Sequence, residues 1–182
     1  MKASVYIATS LDGFIARENG ALDWLPGSDG AAGAGDEQED YGYQAFMDSV
    51  DVIVIGRKTY EIVLTFGPWA YGRQRVVVMS RTLTKLAEGL PETVSLHAGS
   101  ALELWTELEA AGARHLYVDG GKTIQGFLAG GLIDELIITR VPVLIGTGIP
   151  LFGPLNADIR WQHVETIAYK SGLVQSRYRR DE

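Results

Sequence analysis

Three short segments of this chain are apolar on both faces, and they limit its possible folds more than any other feature. They are Asp51-Val52-Ile53-Val54-Ile55-Gly56, Arg75-Val76-Val77-Val78-Met79 and His115-Leu116-Tyr117-Val118. A strand with one wet face alternates apolar and polar residues. A strand without such alternation belongs inside a sheet covered on both sides, most often a parallel one. A shorter run, Val5-Tyr6-Ile7-Ala8, precedes them and stops at Thr9-Ser10, before the turn signal Asp12-Gly13. Helix-like stretches lie between the strands: Glu39 to Ser49, Lys58 to Leu64, Ser100 to Ala111 and Thr123 to Ala129. Ser100 with Glu103 forms a capping-box pair, and Gly112 stands where a helix C-terminal glycine belongs. Strand–helix alternation of this kind predicts βαβ units around a parallel sheet.

The last third differs. Glu135 to Val141 is a long strand, and Trp161 to Tyr169 and Leu173 to Arg179 follow, joined by Lys170-Ser171-Gly172. So short a turn makes that pair antiparallel. The expected fold is therefore α/β: a mostly parallel central sheet ending in an antiparallel C-terminal hairpin, in a single domain over residues 1–182. Gly27 to Gly35, mostly Gly and Ala without periodicity, is expected to be a mobile loop within it. Arg177, Arg179 and Arg180 are expected on a solvated strand edge.

Composition removes whole classes of function. The net charge of −7 opposes any broad attraction to nucleic acid or an anionic membrane, so a phosphate-bearing ligand needs a local arginine cluster. The absence of cysteine excludes disulfides, thiolate metal sites and a cysteine nucleophile. His97, His115 and His163 lack metal-ligand spacing, and no metal is expected. No apolar run approaches the ~20 residues of a membrane helix, and Met1-Lys2-Ala3-Ser4-Val5 leads into a strand without a signal-like segment. A cytoplasmic enzyme is the expectation.

Chemistry is expected in the loops that follow the carboxyl ends of strands, where open α/β sheets bind ligands. These begin at Thr9, Gly56, Ser80 and Asp119. In Gly56-Arg57-Lys58-Thr59-Tyr60-Glu61, glycine permits a sharp turn into a helix whose free N–H groups suit an anion. Arg57, Lys58 and Thr59 add charge and a hydroxyl there, and Ser80-Arg81-Thr82 offers the same chemistry from the next strand. Val118-Asp119-Gly120-Gly121-Lys122-Thr123 superficially resembles the end of a Walker A loop. That motif requires glycine five positions before Gly121, where this chain has Leu116. What remains is a diglycine able to bring backbone close to a ligand.

Taken in order, these segments carry a family resemblance. Thr9-Ser10-Leu11-Asp12-Gly13-Phe14-Ile15-Ala16 with Asn19-Gly20-Ala21-Leu22-Asp23-Trp24 resembles the first strand and active-site loop of dihydrofolate reductases. Ile55 to Glu61, Val78-Met79-Ser80-Arg81 and Val118-Asp119-Gly120-Gly121 resemble their later blocks. The run from Gly131 to Leu136, through Pro142 to Gly146, to Leu151-Phe152-Gly153 resembles the RibD C-terminal domain family, the reductase half of a riboflavin-biosynthesis deaminase-reductase.

The resemblance implies a three-layer dihydrofolate-reductase-like fold and a reductase using NADPH on a pyrimidine- or pterin-like heterocycle. The alternatives are dihydrofolate reductase itself and a nucleotide-binding protein without catalysis. It further implies that Ala8 and Ile15 flank the nicotinamide. Gly56, Arg57, Lys58, Thr59, Ser80 and Arg81 would serve the phosphates, and Gly120, Gly121, Lys122 and Thr123 would line the pyrophosphate. In the family the diglycine contains a cis peptide. Asp40, seventeen residues before Arg57, would be the catalytic acid, hydrogen-bonded to the strand threonine Thr139 and raised in pKa by partial burial. Trp24 and Arg73 would face the substrate. A homodimer paired through the sheet edge is also implied. Phe14 replaces the lysine that meets a ribose phosphate in riboflavin reductases, and Gly27–Gly35 is an insertion relative to dihydrofolate reductase.

Overall fold

Backbone conformation, more than side-chain pattern, decides where the elements of this chain start. In the computed structural model, which describes residues 1–26 and 39–181, the expected helix from Glu39 is only α1 (Tyr43–Asp48). Tyr41 and Gly42 just before it have positive φ, 57° and 81°, which no right-handed helix can contain. The glycine-rich stretch Gly27 to Gly35 falls outside the described residues.

The chain divides into two compact units. The first holds Met1–Val5 and Ser49–Asp134. Its strands are the start of β1 (Lys2–Ser10), then β3 (Val52–Gly56), β4 (Arg75–Met79), β5 (Val94–His97) and β6 (His115–Asp119). They lie in the order β5-β4-β3-β6-β1, and their pairings are parallel. Val52 to Ile55, Val76, Val78, Leu116 and Val118 are essentially inaccessible, as the two-sided apolar pattern requires. The helices are α2 (Arg57–Leu64) against β3 and β4, α4 (Gly121–Ala129) against β3 and β6, and α3 (Ala101–Ala110) against α4. The α3 capping box forms as expected, with Glu103 N–H donating to Ser100 Oγ and Ser100 N–H to Glu103 Oε2. Gly112 follows that helix at φ 83°.

The second unit holds Tyr6–Asp48 and Glu135–Glu182. There β7 (Glu135–Val141) lies beside β1, and β10 (Val174–Arg180) runs antiparallel to both β7 and β9 (Trp161–Ala168). Gly172, at φ 85°, closes the hairpin. The edge strand is β9, so β10 is interior, which corrects the edge expectation for its arginines, although Arg179 is exposed as expected. Arg177 donates to the buried carboxylate of Glu135 at 2.7 and 2.6 Å and lies 3.7 Å from Glu165. A small ladder joins β2 (Phe14–Ala16) to β8 (Ile149–Pro150). These two strands and β5 were not legible beforehand, because two to four residues carry too little alternation to count as strands.

Candidate functional site

In the first unit, parallel register brings the strand ends together. Gly56 pairs with Met79, Met79 with His97, and Ile55 with Asp119. Two helices spring from this line without intervening loops. Gly56 is the N-cap of α2 and Gly120 that of α4, and neither has a side-chain cap. The N-cap residues thus offer no acceptor to the opening N–H groups of either helix, whose dipoles favour an anion.

The two turns are interlocked. A Cβ on Gly56 would lie 2.6 Å from Thr123 Oγ1, and one on Gly120 would strike Thr59 Oγ1 and come 3.6 Å from the Gly56 nitrogen. Each glycine is therefore required by the threonine of the other loop. Gly120 is doubly required, since its φ of 92° disfavours any side chain. Thr123 is buried and Thr59 half-buried, so their hydroxyls brace the turns from below. Gly121 is buried, while Lys122 is exposed and reaches Gln125. The cis peptide implied at the diglycine is absent, as no cis bond occurs among the described residues.

The cations sit on the same rim. Arg57, Lys58 and Arg81 are exposed. Arg57 donates to Thr82 Oγ1 at 3.1 Å and stands 3.5 Å from Glu61, which ties the α2 turn to the loop after β4. Ser80 Oγ accepts from the amides of Thr82 and Leu83, shaping that loop, and its own N–H donates to the His97 carbonyl. Arg73 is exposed on the segment leading into β4.

Asp119, the last residue of β6, is an acid to which the sequence reading assigns no role. Burial pushes its carboxyl up to about 6, against a smaller opposing effect of the Gly120 N–H bond. The sequence offers only an acid at a strand end, and its burial depends on packing that no local pattern encodes.

In the second unit, strand alternation puts Tyr6, Ala8 and Ser10 on one face of β1. Asp12 fixes the turn that follows. Its carboxylate accepts from Ser10 Oγ at 2.5 Å, Gly146 N at 2.8 Å and Ile145 N at 3.3 Å, and these donors, Ser10 foremost, hold it below the ordinary aspartate value. Leu11 N–H donates to Val143 O and Leu151 N–H to Gly13 O, so the segment bearing Ile15 is stapled to residues 143–151. Trp24 is half-buried, and its indole nitrogen has no partner among the described residues.

The expected acid–threonine pair is not formed. Asp40 is exposed, and its carboxylate accepts from Gly42 N at 2.9 Å and Gln44 N at 3.1 Å. Those two bonds lower its pKa, the reverse of the expected rise, because the charged form is hydrogen-bonded and the opposing effect of burial is smaller. Thr139 is buried and accepts from Gln175 Nε2 at 3.0 Å instead. Gln175 stands opposite Thr139 in the β7–β10 register, and no local signal announces that pairing.

No group of side chains suited to a metal occurs among the described residues. His115 lies between Ser4 Oγ and the Ser49 carbonyl, a structural role. No described helix is long and apolar enough to cross a membrane.

The family model for the RibD C-terminal domain matches residues 2–175. The uncharacterized protein YwjB of Bacillus subtilis is 34% identical over 161 residues, 87% of each chain. The crystal structure of a Shewanella sp. PV-4 protein assigned to riboflavin biosynthesis superposes with a TM-score of 0.91 at 40% identity, covering all of both chains. Dihydrofolate reductase from Enterococcus faecalis, solved as a complex with NADP(H) and RAB-propyl, superposes at 0.65 over 100% of this chain and 97% of its own. At 16% identity that last likeness shows a shared dihydrofolate-reductase-like fold.

Proposed function

Because the chain belongs to the RibD C-terminal domain family, we propose that it is an NADPH-dependent reductase of a pyrimidine- or pterin-like metabolite, working in the cytoplasm. One observation carries this reading: the reciprocal packing of Gly56 on Thr123 and Gly120 on Thr59. It sets two uncapped helix N-termini side by side, next to Arg57, Ser80 and Arg81. Paired phosphates suit such a cradle, since each helix start offers free N–H donors and the rim offers guanidinium groups. The residues present fit the cofactor: the two turns would hold its pyrophosphate, and Arg57, Lys58, Ser80 and Arg81 the 2′-phosphate end. Bound NADPH would supply hydride to the heterocycle.

In the first unit, Asp119 at the end of β6 has its carboxyl raised to about 6 by burial, which makes it the acid of that unit suited to hold a proton. Asp40 is held ionised and suits the N–H groups of a heterocycle, with lone pairs left beyond those taken by Gly42 and Gln44. Dihydrofolate reductase itself is the weaker reading, because Thr139 is engaged by Gln175 rather than by an acid.

The test is consumption of NADPH with a panel of aminouracils and pteridines, followed by loss of its absorbance, beside calorimetric binding of NADPH and NADH. Turnover with at least one member is expected. Tight NADPH binding without turnover across the panel would favour a non-catalytic nucleotide-binding protein, and no binding would overturn the reading.

A homodimer related by a two-fold axis belongs to the same proposal. The edge strand β9 exposes Val164 and Ile167, a surface on which a second copy could pair. Sedimentation should give a mass of two chains, and a single-chain mass at micromolar concentration would count against it.

A further inference from the structure

Tyr41 is the one non-glycine residue with positive φ among the described residues, at 57°. Such a conformation is unfavourable for a side chain and persists only where the surroundings impose it. Here the restraint is visible. The Tyr41 carbonyl accepts from the Tyr6 hydroxyl at 2.9 Å and from Gln175 Nε2 at 3.2 Å.

Both donors are themselves fixed. The Tyr6 ring stacks on Phe46 of α1 at 5.1 Å and meets Tyr43 edge-on at 5.4 Å. Its hydroxyl also accepts from Gln175 Nε2 at 3.2 Å, and burial pushes its pKa up to about 12, so it is a permanent donor. Gln175 is buried, anchored on Thr139 at 3.0 Å, and its Oε1 faces the Tyr169 hydroxyl at 3.4 Å. The Tyr41 ring lies edge-on to Tyr169 at 4.7 Å, with its hydroxyl 3.4 Å from Ser171 Oγ.

The residue on one side of this carbonyl is Asp40, and on the other Gly42. Turning the Tyr41 peptide inward brings Gly42 N–H and Gln44 N–H onto the two oxygens of the Asp40 carboxylate. An exposed side chain that would otherwise rotate freely is thereby held in one orientation, next to Glu39, whose Oε1 accepts from Tyr41 N–H.

We propose that Tyr6 and Gln175 are positioning residues that clamp the strained Tyr41 turn and so fix the orientation of the Asp40 carboxylate. The clamp gives the buried amide of Gln175 a purpose that a sheet interior does not by itself demand, since a hydrophobic residue would avoid its desolvation. The proposal rests on the reading of Asp40 as a substrate-binding acid.

The experiment measures the clamp apart from turnover. The carboxyl carbon of Asp40 is titrated by NMR in the wild-type chain, in Tyr6→Phe and in Gln175→Leu, with thermal melting to confirm folding. Each variant should raise the proton affinity of Asp40 about threefold or more, because its amide donors drift away. The limiting rate of reduction should fall about tenfold with the apparent NADPH constant unchanged. If Gln175→Leu does not fold, Gln175→Asn withdraws the same contact with less disruption. A titration of Asp40 unchanged in both folded variants overturns the proposal. A shifted titration combined with full activity of Asp40→Asn would remove Asp40 from the substrate reading while leaving the clamp in place.

Discussion

Replacing Arg57 and Arg81 together by alanine is expected to weaken NADPH binding far more than NADH binding. The two cofactors differ only in the 2′-phosphate. Discrimination therefore depends on groups that meet a dianion in one case and nothing in the other. Arg57 is the better placed, because its bond to Thr82 holds the guanidinium over the loop after β4, where Arg81 and Ser80 lie. Its contact with Glu61 is exposed and competes little. Each lost charged hydrogen bond is worth ~1.5–3 kcal/mol, so the double change should cost NADPH roughly two to four decades if the losses add. Titration calorimetry of both cofactors against both proteins checks this. Equal losses would show that these arginines do not read the phosphate.

The second large effect is on stability, and its sign follows from Asp119. The folded chain raises this carboxyl from 3.8 to about 6. Between those values the folded state holds a proton that the unfolded chain has released. Stability therefore falls as pH rises through that window, and the full penalty persists above it. Removing the charge with Asp119→Asn keeps an acceptor for the Gly120 amide and removes the penalty. The variant should be more stable by on the order of 2–3 kcal/mol at about pH 8, an advantage that vanishes below the unfolded value of 3.8. The same variant should reduce its heterocycle roughly a hundredfold more slowly in single turnover if Asp119 gives up the proton. Melting curves across pH test the first claim, and parallel pH dependences for the two proteins would refute it. A stabilised but catalytically impaired variant is the signature of an acid kept at a functional site against folding stability.

Much of the architecture could be derived from local pattern. The run Val52 to Ile55 has no polar face, so it had to be an interior strand. Ser100 and Glu103 determine the start of α3, because both capping bonds run between neighbours in sequence. The hairpin closed by Gly172 follows from the length of its turn. The two glycine turns were legible for the same reason: glycine at the end of a buried strand followed by a helix is a local arrangement with local physics.

Tertiary structure alone decided the rest, and the reason is the same in each case. Gly56 and Gly120 could be recognised as turn residues, but the threonine that makes each indispensable lies on the other loop. The resemblance implies that Asp40 and Thr139 are a partnered acid and hydroxyl. Thr139 nevertheless bonds to Gln175, because β10 pairs with β7 in that register. The shortened α1 traces to a strained peptide at Tyr41, which is held by Tyr6 from one strand and Gln175 from another. Asp119 looks like any acid at the end of a strand until packing withdraws it partly from water. Periodicity and caps depend on neighbours within a few residues, whereas desolvation and hydrogen-bond partners depend on groups brought together from distant parts of the chain.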